Sequence, residues 1–214
     1  MKPLAVLERP FYATVRPLVD VLLKWGIRPN TITTFGTGLT LVSAVAYGMG
    51  HVRIGGLLLL LSGLVDTIDG QVARRGAMVT RFGAFYDSTL DRIGDGATFI
   101  GIGTYLLLAP GIQYREAGVV LCMVAILASL VVSYERARAE GLGLDCAVGI
   151  AQRAERIVSL GLLSLLFGAG PGGIILEASV AILTLLALIT IVQRAVHVHG
   201  AANAADLAGP DARE

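Results

Sequence analysis

Six long apolar segments constrain the fold of this chain more than any other feature of its sequence. They cover residues 32–50, 54–75, 82–109, 116–135, 156–170 and 173–193. Only 15% of the 214 residues are charged, whereas soluble domains carry roughly a quarter, and the mean hydropathy is +0.74. A membrane-spanning helix needs about 20 apolar residues. The sequence therefore predicts an all-α membrane protein with six transmembrane helices.

The residues before the first apolar segment have a different pattern. In the stretch PFYATVRPLVDVLLKWG, apolar side chains recur at helical spacing, at Phe11, Val15, Leu18, Leu22 and Trp25. An amphipathic helix of this kind lies in the surface of a bilayer. We therefore predict a juxtamembrane surface helix in residues 1–28, kinked at Pro17. The transmembrane domain would then cover residues 29–199, and a disordered cytoplasmic tail residues 200–214.

The positions of the basic residues predict the orientation in the membrane. If the N-terminus lies in the cytoplasm, only Arg53 and Arg115 fall on the opposite side, and the other basic residues fall on or near the cytoplasmic side. Cytoplasmic loops of membrane proteins carry such an excess of lysine and arginine. We therefore expect an integral protein of the cytoplasmic membrane with both termini in the cytoplasm.

Two pairs of aspartates interrupt the second and third apolar segments. Asp66 and Asp69 are three residues apart, and Asp87 and Asp91 are four apart, so each pair lies on one face of its helix. A turn at residues 75–80 would make the two helices antiparallel neighbours and bring the four carboxylates together. Oxygen ligands in such a cluster favour Mg²⁺ or Mn²⁺. The pattern predicts a divalent metal site near the cytoplasmic side of the membrane.

Other functions remain open for carboxylates at membrane depth. An intramembrane acid is also typical of proton relays, of partners for a buried arginine, and of cation- or proton-coupled transporters. A transporter would need access for water from both sides. Here the charged residues crowd one side, and the outer halves of the second and third segments are apolar. This asymmetry argues against a transporter.

The aspartates belong to a longer pattern that resembles one family closely. Eight positions over 26 residues match the motif of the CDP-alcohol phosphotransferases, namely Asp66, Asp69, Gly70, Ala73, Arg74, Gly83, Asp87 and Asp91. The resemblance implies transfer of a phospholipid or phospho-alcohol group from a CDP-linked donor to a hydroxyl group, with release of CMP. It implies six membrane helices, an active site that faces the cytoplasm, and a homodimer, with membrane lipids and no nucleic acid among the partners.

The same resemblance implies roles for individual residues. Asp66, Asp69 and Asp87 would bind two Mg²⁺ or Mn²⁺ ions, and Asp91 would act as general base and contact the second ion. The donor would be CDP-diacylglycerol or an ether-lipid equivalent, with its nucleotide held by Asn30, Thr33, Gly70, Arg74 and Thr80. For Asn30 and Thr33, capping of the helix that begins after Pro29 is the alternative.

A second group of arginines lies on both sides of the last predicted cytoplasmic loop. Arg153 and Arg156 share one helix face, and guanidinium groups suit bidentate phosphate binding, which favours an anionic acceptor. The positive-inside bias is the alternative explanation.

The stretches SYERARAE and QRAER resemble the prokaryotic phosphatidylinositol-phosphate and archaetidylinositol-phosphate synthases, although Arg136, Gln152 and Ala154 depart from the common forms. That resemblance assigns the acceptor phosphate to Ser133, Arg136, Arg138, Arg153, Arg156 and Arg194, some distance from the metal ions. The expected polyol phosphate is inositol phosphate, and glycerol 3-phosphate is the alternative.

Overall fold

A computed structural model describes residues 5–150 and 152–207, with side chains for residues 14–150 and 152–204. The described regular elements are all helical: α1 (Ala5–Lys24), α2 (Pro29–Gly48), α3 (Val52–Arg75), α4 (Arg81–Leu108), α5 (Arg115–Glu140), α6 (Arg153–Phe167), a 3₁₀ turn (Pro171–Gly173) and α7 (Ile174–Leu207). The all-α prediction is confirmed. The helices α2 to α7 coincide with the six apolar segments.

Two of these helices are long and apolar enough to cross a membrane by length and composition alone. Within the described ranges they are Arg115–Glu140 and Pro171–Ala204, the second of which includes the 3₁₀ turn. The helices α3 and α4 carry aspartates and arginines in the halves joined by their turn, and α6 has only 15 residues. The number of membrane-spanning helices therefore stays a prediction for α2, α3, α4 and α6.

The N-terminal helix α1 packs against the protein with part of its apolar face. Val15 and Val19 are buried against Ile32 of α2 and against Ile68 and Val72 of α3. Leu18 and Trp25 of the same predicted face are exposed, whereas the side chain of Phe11 lies outside the described residues. An ion pair of 2.6 Å between Asp20 and Arg75 also joins α1 to the end of α3. The bilayer position of α1 and the kink at Pro17 stay predictions.

The helices α2 to α7 form a closed ring. In the ring, α2 packs against α3 and α4, α3 against α6, α6 against α7, α7 against α5, and α5 against α4. The helices α3 and α4 each pack more extensively against α2 than against each other. Because their facing sides carry like charges, a dry seam between them would be unfavourable. The apolar core instead includes fully buried Tyr47, Leu106 and Leu176, at the ends of α2, α4 and α7 that lie away from the aspartates.

Small residues allow close packing of the ring. A Cβ added at Gly101 of α4 would overlap the carbonyl oxygen of Ala44 in α2, and one added at Gly56 of α3 would lie 2.6 Å from the carbonyl oxygen of Gly161 in α6. Small residues at interfaces of membrane helices permit such approaches. These contacts allow α4 to pack closely against α2, and α3 against α6.

We expect Gly101→Ala to destabilise the protein, because its Cβ would push α4 away from α2. Overpacking of this kind costs about 1–3 kcal/mol. The matched control is Gly96→Ala in the same helix, because no neighbouring heavy atom lies within 4 Å of the added Cβ. Thermal unfolding of the purified protein in detergent should give a lower melting temperature for Gly101→Ala only. Equal melting temperatures would contradict the close contact between α2 and α4.

The C-terminal region differs from the prediction of a disordered tail that begins at residue 200. The helix α7 continues to Leu207, so residues 200–207 are helical. The stretch GAANAADL is rich in alanine, which has the highest helix propensity, and it follows directly on a long helix. Propagation of an existing helix therefore explains the difference. Residues 208–214 lie outside the described part of the chain.

Candidate active site

The turn between α3 and α4 positions the four aspartates. The helix α3 ends at Arg75, and Thr80 caps α4 by accepting a hydrogen bond of 2.9 Å from the backbone N–H of Gly83. One carboxylate oxygen each from Asp66, Asp69 and Asp87 lies within 4.8 Å of the other two. Asp91 lies one helical turn beyond Asp87 and outside this group of three. The predicted convergence of the two pairs is thus observed, with α2 behind them.

Two carboxylate oxygens in this group have no hydrogen-bond partner among the residues that the structure describes. Asp69 is only 6% exposed, and its Oδ2 atom is buried without a hydrogen bond among the described residues. The same holds for Oδ1 of Asp87. A buried, unpaired carboxylate oxygen is costly, and a hard divalent cation with oxygen ligands would remove that cost. The residues present therefore fit a divalent cation bound between α3 and α4.

Arg153 lies directly against the aspartates. Its Nη1 atom is 2.8 Å from Oδ1 of Asp91 and 3.0 Å from Oδ1 of Asp66. Its Nε atom is 3.4 Å from Oδ1 of Asp95. The expectation that all arginines of the acceptor group lie some distance from the metal site is wrong for Arg153. The first turn of α6 carries its side chain back to α3 and α4, because α6 packs along α3.

Asp95 is a site residue that the sequence analysis leaves out. Its Oδ2 atom accepts a hydrogen bond of 2.8 Å from Nη2 of Arg156, and both side chains are largely buried. The signal in the sequence is its position four residues after Asp91, on the same face of α4. The Nη1 atom of Arg156 is buried without a partner within the described residues. This free donor makes Arg156 suitable for binding an anion.

A cavity of about 2010 Å³ joins the aspartates to most of the predicted acceptor residues. Its wall includes Asp66, Asp87, Asp91, Ser133, Arg136, Arg153, Arg156 and Arg194. Arg136 also pairs with Glu140 at 2.8 Å. Buried Arg194 donates from Nε to the carbonyl oxygen of Val148 at 2.9 Å, which ties α7 to the loop before α6. Arg138 is exposed on α5 and does not line this cavity.

The residues predicted to hold the nucleotide do not line the cavity. Thr33 lies beside the carboxyl group of Asp69. A Cβ added at Gly83 would lie 3.0 Å from Oγ1 of Thr80 and 3.3 Å from Oδ1 of Asn30, so these two side chains converge above Gly83. No side-chain cap is formed at Arg28, the residue before α2, so capping does not explain Asn30.

Arg74 completes this second side of the site. A Cβ added at Gly70 would lie 3.3 Å from Nη1 of Arg74, so the absence of a side chain at Gly70 gives the guanidinium room above the helix. Gly70 is therefore explained by space rather than by backbone conformation. Asp66, Asp87 and Asp91 line the cavity, whereas Thr33 lies beside Asp69, and Asn30 and Thr80 converge at Gly83 outside the cavity.

Comparison with known proteins agrees with this geometry. Residues 26–193 match the protein family described as CDP-alcohol phosphatidyltransferase. The chain is 37% identical to the archaetidylinositol phosphate synthase of Methanothermobacter thermautotrophicus, with 88% of this chain and 92% of that protein covered. It is 35% identical to the phosphatidylinositol phosphate synthase of Mycobacteroides abscessus, with 98% and 97% covered.

Solved structures of one relative are similar as well. The crystal structure of phosphatidylinositol phosphate synthase from Mycobacterium tuberculosis with CDP-DAG bound superposes with a TM-score of 0.74 and 32% identity, over 85% of this chain and 92% of that one. The structure of the same enzyme in complex with manganese and citrate gives a TM-score of 0.75 and 33% identity, over 85% and 87%. Sequence, site and fold agree, and the chain belongs to the CDP-alcohol phosphatidyltransferase family.

Proposed function

We propose that this enzyme transfers a phosphatidyl group from CDP-diacylglycerol to a hydroxyl group of inositol phosphate and releases CMP. The observation that carries the proposal is one cavity wall that combines Asp66, Asp87 and Asp91 with buried Arg156, whose Nη1 atom has no hydrogen-bond partner in the described part of the chain. A carboxylate beside a phosphate-binding arginine suits an acceptor with a hydroxyl group at one end and a phosphate at the other. The names of the relatives from Methanothermobacter and Mycobacteroides support inositol phosphate as that acceptor.

The donor would approach from the membrane. The family is embedded in the membrane, so the acyl chains of CDP-diacylglycerol can stay in the bilayer while the nucleotide lies over Asn30, Gly70, Arg74 and Thr80. We propose six membrane-spanning helices with both termini and the active site on the cytoplasmic side, and a homodimer. Cysteine labelling from either side of the membrane tests the topology, and cross-linking in the membrane tests the dimer.

Asp66, Asp69 and Asp87 would hold two Mg²⁺ or Mn²⁺ ions, with Asp91 at the edge of the group. When bound, the ions would neutralise charge on the phosphate oxygens of the donor. Hard cations of this kind prefer the carboxylate oxygens that the structure assembles here. The unpartnered oxygens of Asp69 and Asp87 support this assignment.

We propose Asp91 as the general base. Its carboxylate faces the cavity and would take the proton from the acceptor hydroxyl. The acceptor oxygen then forms a bond to the phosphorus that carries diacylglycerol, and the bond from this phosphorus to the CMP oxygen breaks. CMP leaves with the electron pair of that bond. Arg156, Ser133, Arg136 and Arg194 would hold the acceptor phosphate during the transfer.

Glycerol 3-phosphate is the alternative acceptor, because it also carries a hydroxyl group and a phosphate. A CDP-linked ether lipid is the alternative donor, because it carries the same CDP group as CDP-diacylglycerol. Purified protein in detergent with Mg²⁺ and CDP-diacylglycerol should be given inositol phosphate, glycerol 3-phosphate, inositol and serine together. We expect mass spectrometry to find phosphatidylinositol phosphate as the main lipid product. Preference for uncharged inositol or for serine would contradict an anionic acceptor, whereas phosphatidylglycerol phosphate would replace inositol phosphate with the alternative.

We expect Arg156→Ala to raise the KM for the acceptor by about ten- to a hundredfold, because a charge-assisted hydrogen bond contributes roughly 1.5–3 kcal/mol. The KM for CDP-diacylglycerol should change little. Arg156→Lys should recover only part of the loss, because an ammonium group cannot contact Asp95 and phosphate in the fork geometry of a guanidinium.

Steady-state kinetics with each substrate varied in turn would measure both constants. Arg53→Ala is the control, because Arg53 is exposed near the start of α3, at the end away from the aspartates. An unchanged acceptor KM in folded Arg156→Ala would mean that this arginine only stabilises Asp95.

A further inference from the structure

Arg153 contacts two of the aspartates that are predicted to bind metal. One nitrogen, Nη1, contacts Oδ1 of Asp66 at 3.0 Å and Oδ1 of Asp91 at 2.8 Å. A guanidinium group only donates hydrogen bonds, and its positive charge cannot share a carboxylate oxygen closely with a divalent cation without strong repulsion. Arg153 and a cation that uses these oxygens therefore exclude one another at Asp66 and Asp91.

Charge compensation explains why Arg153 occupies this position. Four carboxylates converge between α3 and α4, and the Arg153 side chain reaches two of them although it is only 19% exposed. Its guanidinium thus supplies part of the positive charge that the ions would otherwise supply. Arg92, the other arginine close to this group, has only a longer contact of 3.4 Å, with Asp91 next to it in the chain.

Asp95 gives Arg153 a further contact that does not involve Asp66 or Asp91. Asp95 contacts Nε of Arg153 at 3.4 Å and Nη2 of Arg156 at 2.8 Å, so one carboxylate holds both arginines side by side. The Nη1 atom of Arg153 can leave Asp66 and Asp91 while Nε stays near Asp95. Arg153 and Arg156 line the same cavity, and the Nη1 atom of Arg156 has no hydrogen-bond partner among the described residues.

We propose that Arg153 is an exchangeable counter-ion: it neutralises Asp66 and Asp91 before metal binds, and divalent cation binding releases its Nη1 atom to bind the acceptor phosphate beside Arg156. The second step rests on the proposed function. The exchange makes acceptor binding dependent on metal, since without metal the aspartates retain the guanidinium. It also lowers the apparent affinity for metal, because each ion must displace an ion pair.

The first test measures metal binding directly. Purified protein without nucleotide or acceptor is titrated with Mn²⁺, and free Mn²⁺ is followed by electron paramagnetic resonance. We expect Arg153→Ala to bind Mn²⁺ at least about tenfold more tightly than the wild type, because the charge-assisted contacts of Arg153 with Asp66 and Asp91 no longer compete with the ion. Arg153→Gln, which loses the charge but retains a polar side chain, serves as a second variant and should bind Mn²⁺ more tightly as well.

Arg136→Ala is the matched control for this test. It removes one positive charge from the same cavity, but Arg136 pairs with Glu140 and not with the aspartates. Its affinity for Mn²⁺ should stay within about twofold of the wild type, because an exposed charge is screened by solvent. Unchanged or weaker Mn²⁺ binding by both folded Arg153 variants would overturn the proposal. If Arg136→Ala gained the same affinity for Mn²⁺, the gain would be a general effect of positive charge in the cavity, and the proposal would be overturned as well.

The second test measures the dependence of phosphate binding on metal. Inorganic phosphate is titrated calorimetrically into wild-type protein and Arg153→Ala, with and without Mg²⁺. We expect Mg²⁺ to tighten phosphate binding by about tenfold in the wild type and to have little effect in the variant. If Mg²⁺ tightens phosphate binding equally in both proteins, phosphate contacts the metal directly and the exchange is overturned. A wrong acceptor assignment would appear only as a different lipid product, with both binding results unchanged.

Discussion

Asp69→Asn is expected to abolish transfer, with a loss of turnover of about a thousandfold or more, because a metal site supplies several kcal/mol of charge stabilisation. Asp69 is the most buried of the aspartates, and its Oδ2 atom has no partner within the described residues. An amide replaces an anionic ligand with a weaker, neutral one. Asp66→Asn and Asp87→Asn should have the same effect, because their oxygens complete the group of three.

The same variant should not be unstable without metal. Removing one charge from a group of converging carboxylates relieves repulsion, so the melting temperature of metal-free Asp69→Asn should equal or exceed that of the wild type. Added Mg²⁺ should raise the melting temperature of the wild type but not of the variant. A melting curve and a CMP-release assay on the same sample separate loss of metal from loss of fold.

Asp20→Asn is the control for the aspartate variants. It makes the same chemical change in an exposed ion pair with Arg75, where about 0–1 kcal/mol is expected. Activity and the response to Mg²⁺ should both be retained. Near-normal turnover of Asp69→Asn at low Mg²⁺ would remove Asp69 from the metal site.

Asp91→Asn is expected to lower kcat by about 10²–10⁴-fold while it retains much of the affinity for CDP-diacylglycerol, because a general base acts on the acceptor and not on the donor. Asp91 lies outside the group of three carboxylates and faces the cavity. Donor affinity can be measured by equilibrium binding without acceptor, and turnover by release of CMP.

The outcome for Asp91 distinguishes two roles. If donor affinity falls together with turnover, Asp91 is chiefly a metal ligand and the assignment as base is wrong. Because Asp91 also pairs with Arg153, its loss should weaken the hold on Arg153 in the metal-free state. Asp95→Asn, which loosens Arg153 and Arg156 together, should instead raise the KM for the acceptor and spare donor binding.

Much of the fold could be predicted because long apolar helices are encoded locally. The six apolar segments and the six helices agree to within a few residues at most ends, since hydropathy and helix propensity act over short stretches. The largest difference is at the end of α7, where an alanine-rich stretch was predicted to be disordered and extends a preceding helix. Family membership then decides in favour of the enzyme over the transporter.

The sequence by itself determined two features of the site. The spacing of the aspartates places each pair, Asp66 with Asp69 and Asp87 with Asp91, on one helix face. The short turn at residues 75–80 places both pairs at the same end of the protein. Only the tertiary structure decided that α3 and α4 both pack chiefly against α2, because close contacts such as that between Gly101 and Ala44 are not encoded in hydropathy. Only the tertiary structure brought Arg153 to Asp66 and Asp91, and Asp95 to Arg156, across about 60 to 90 residues of chain. Such pairs depend on the packing of α6 against α3, and sequence spacing carries no information about contacts between helices so far apart.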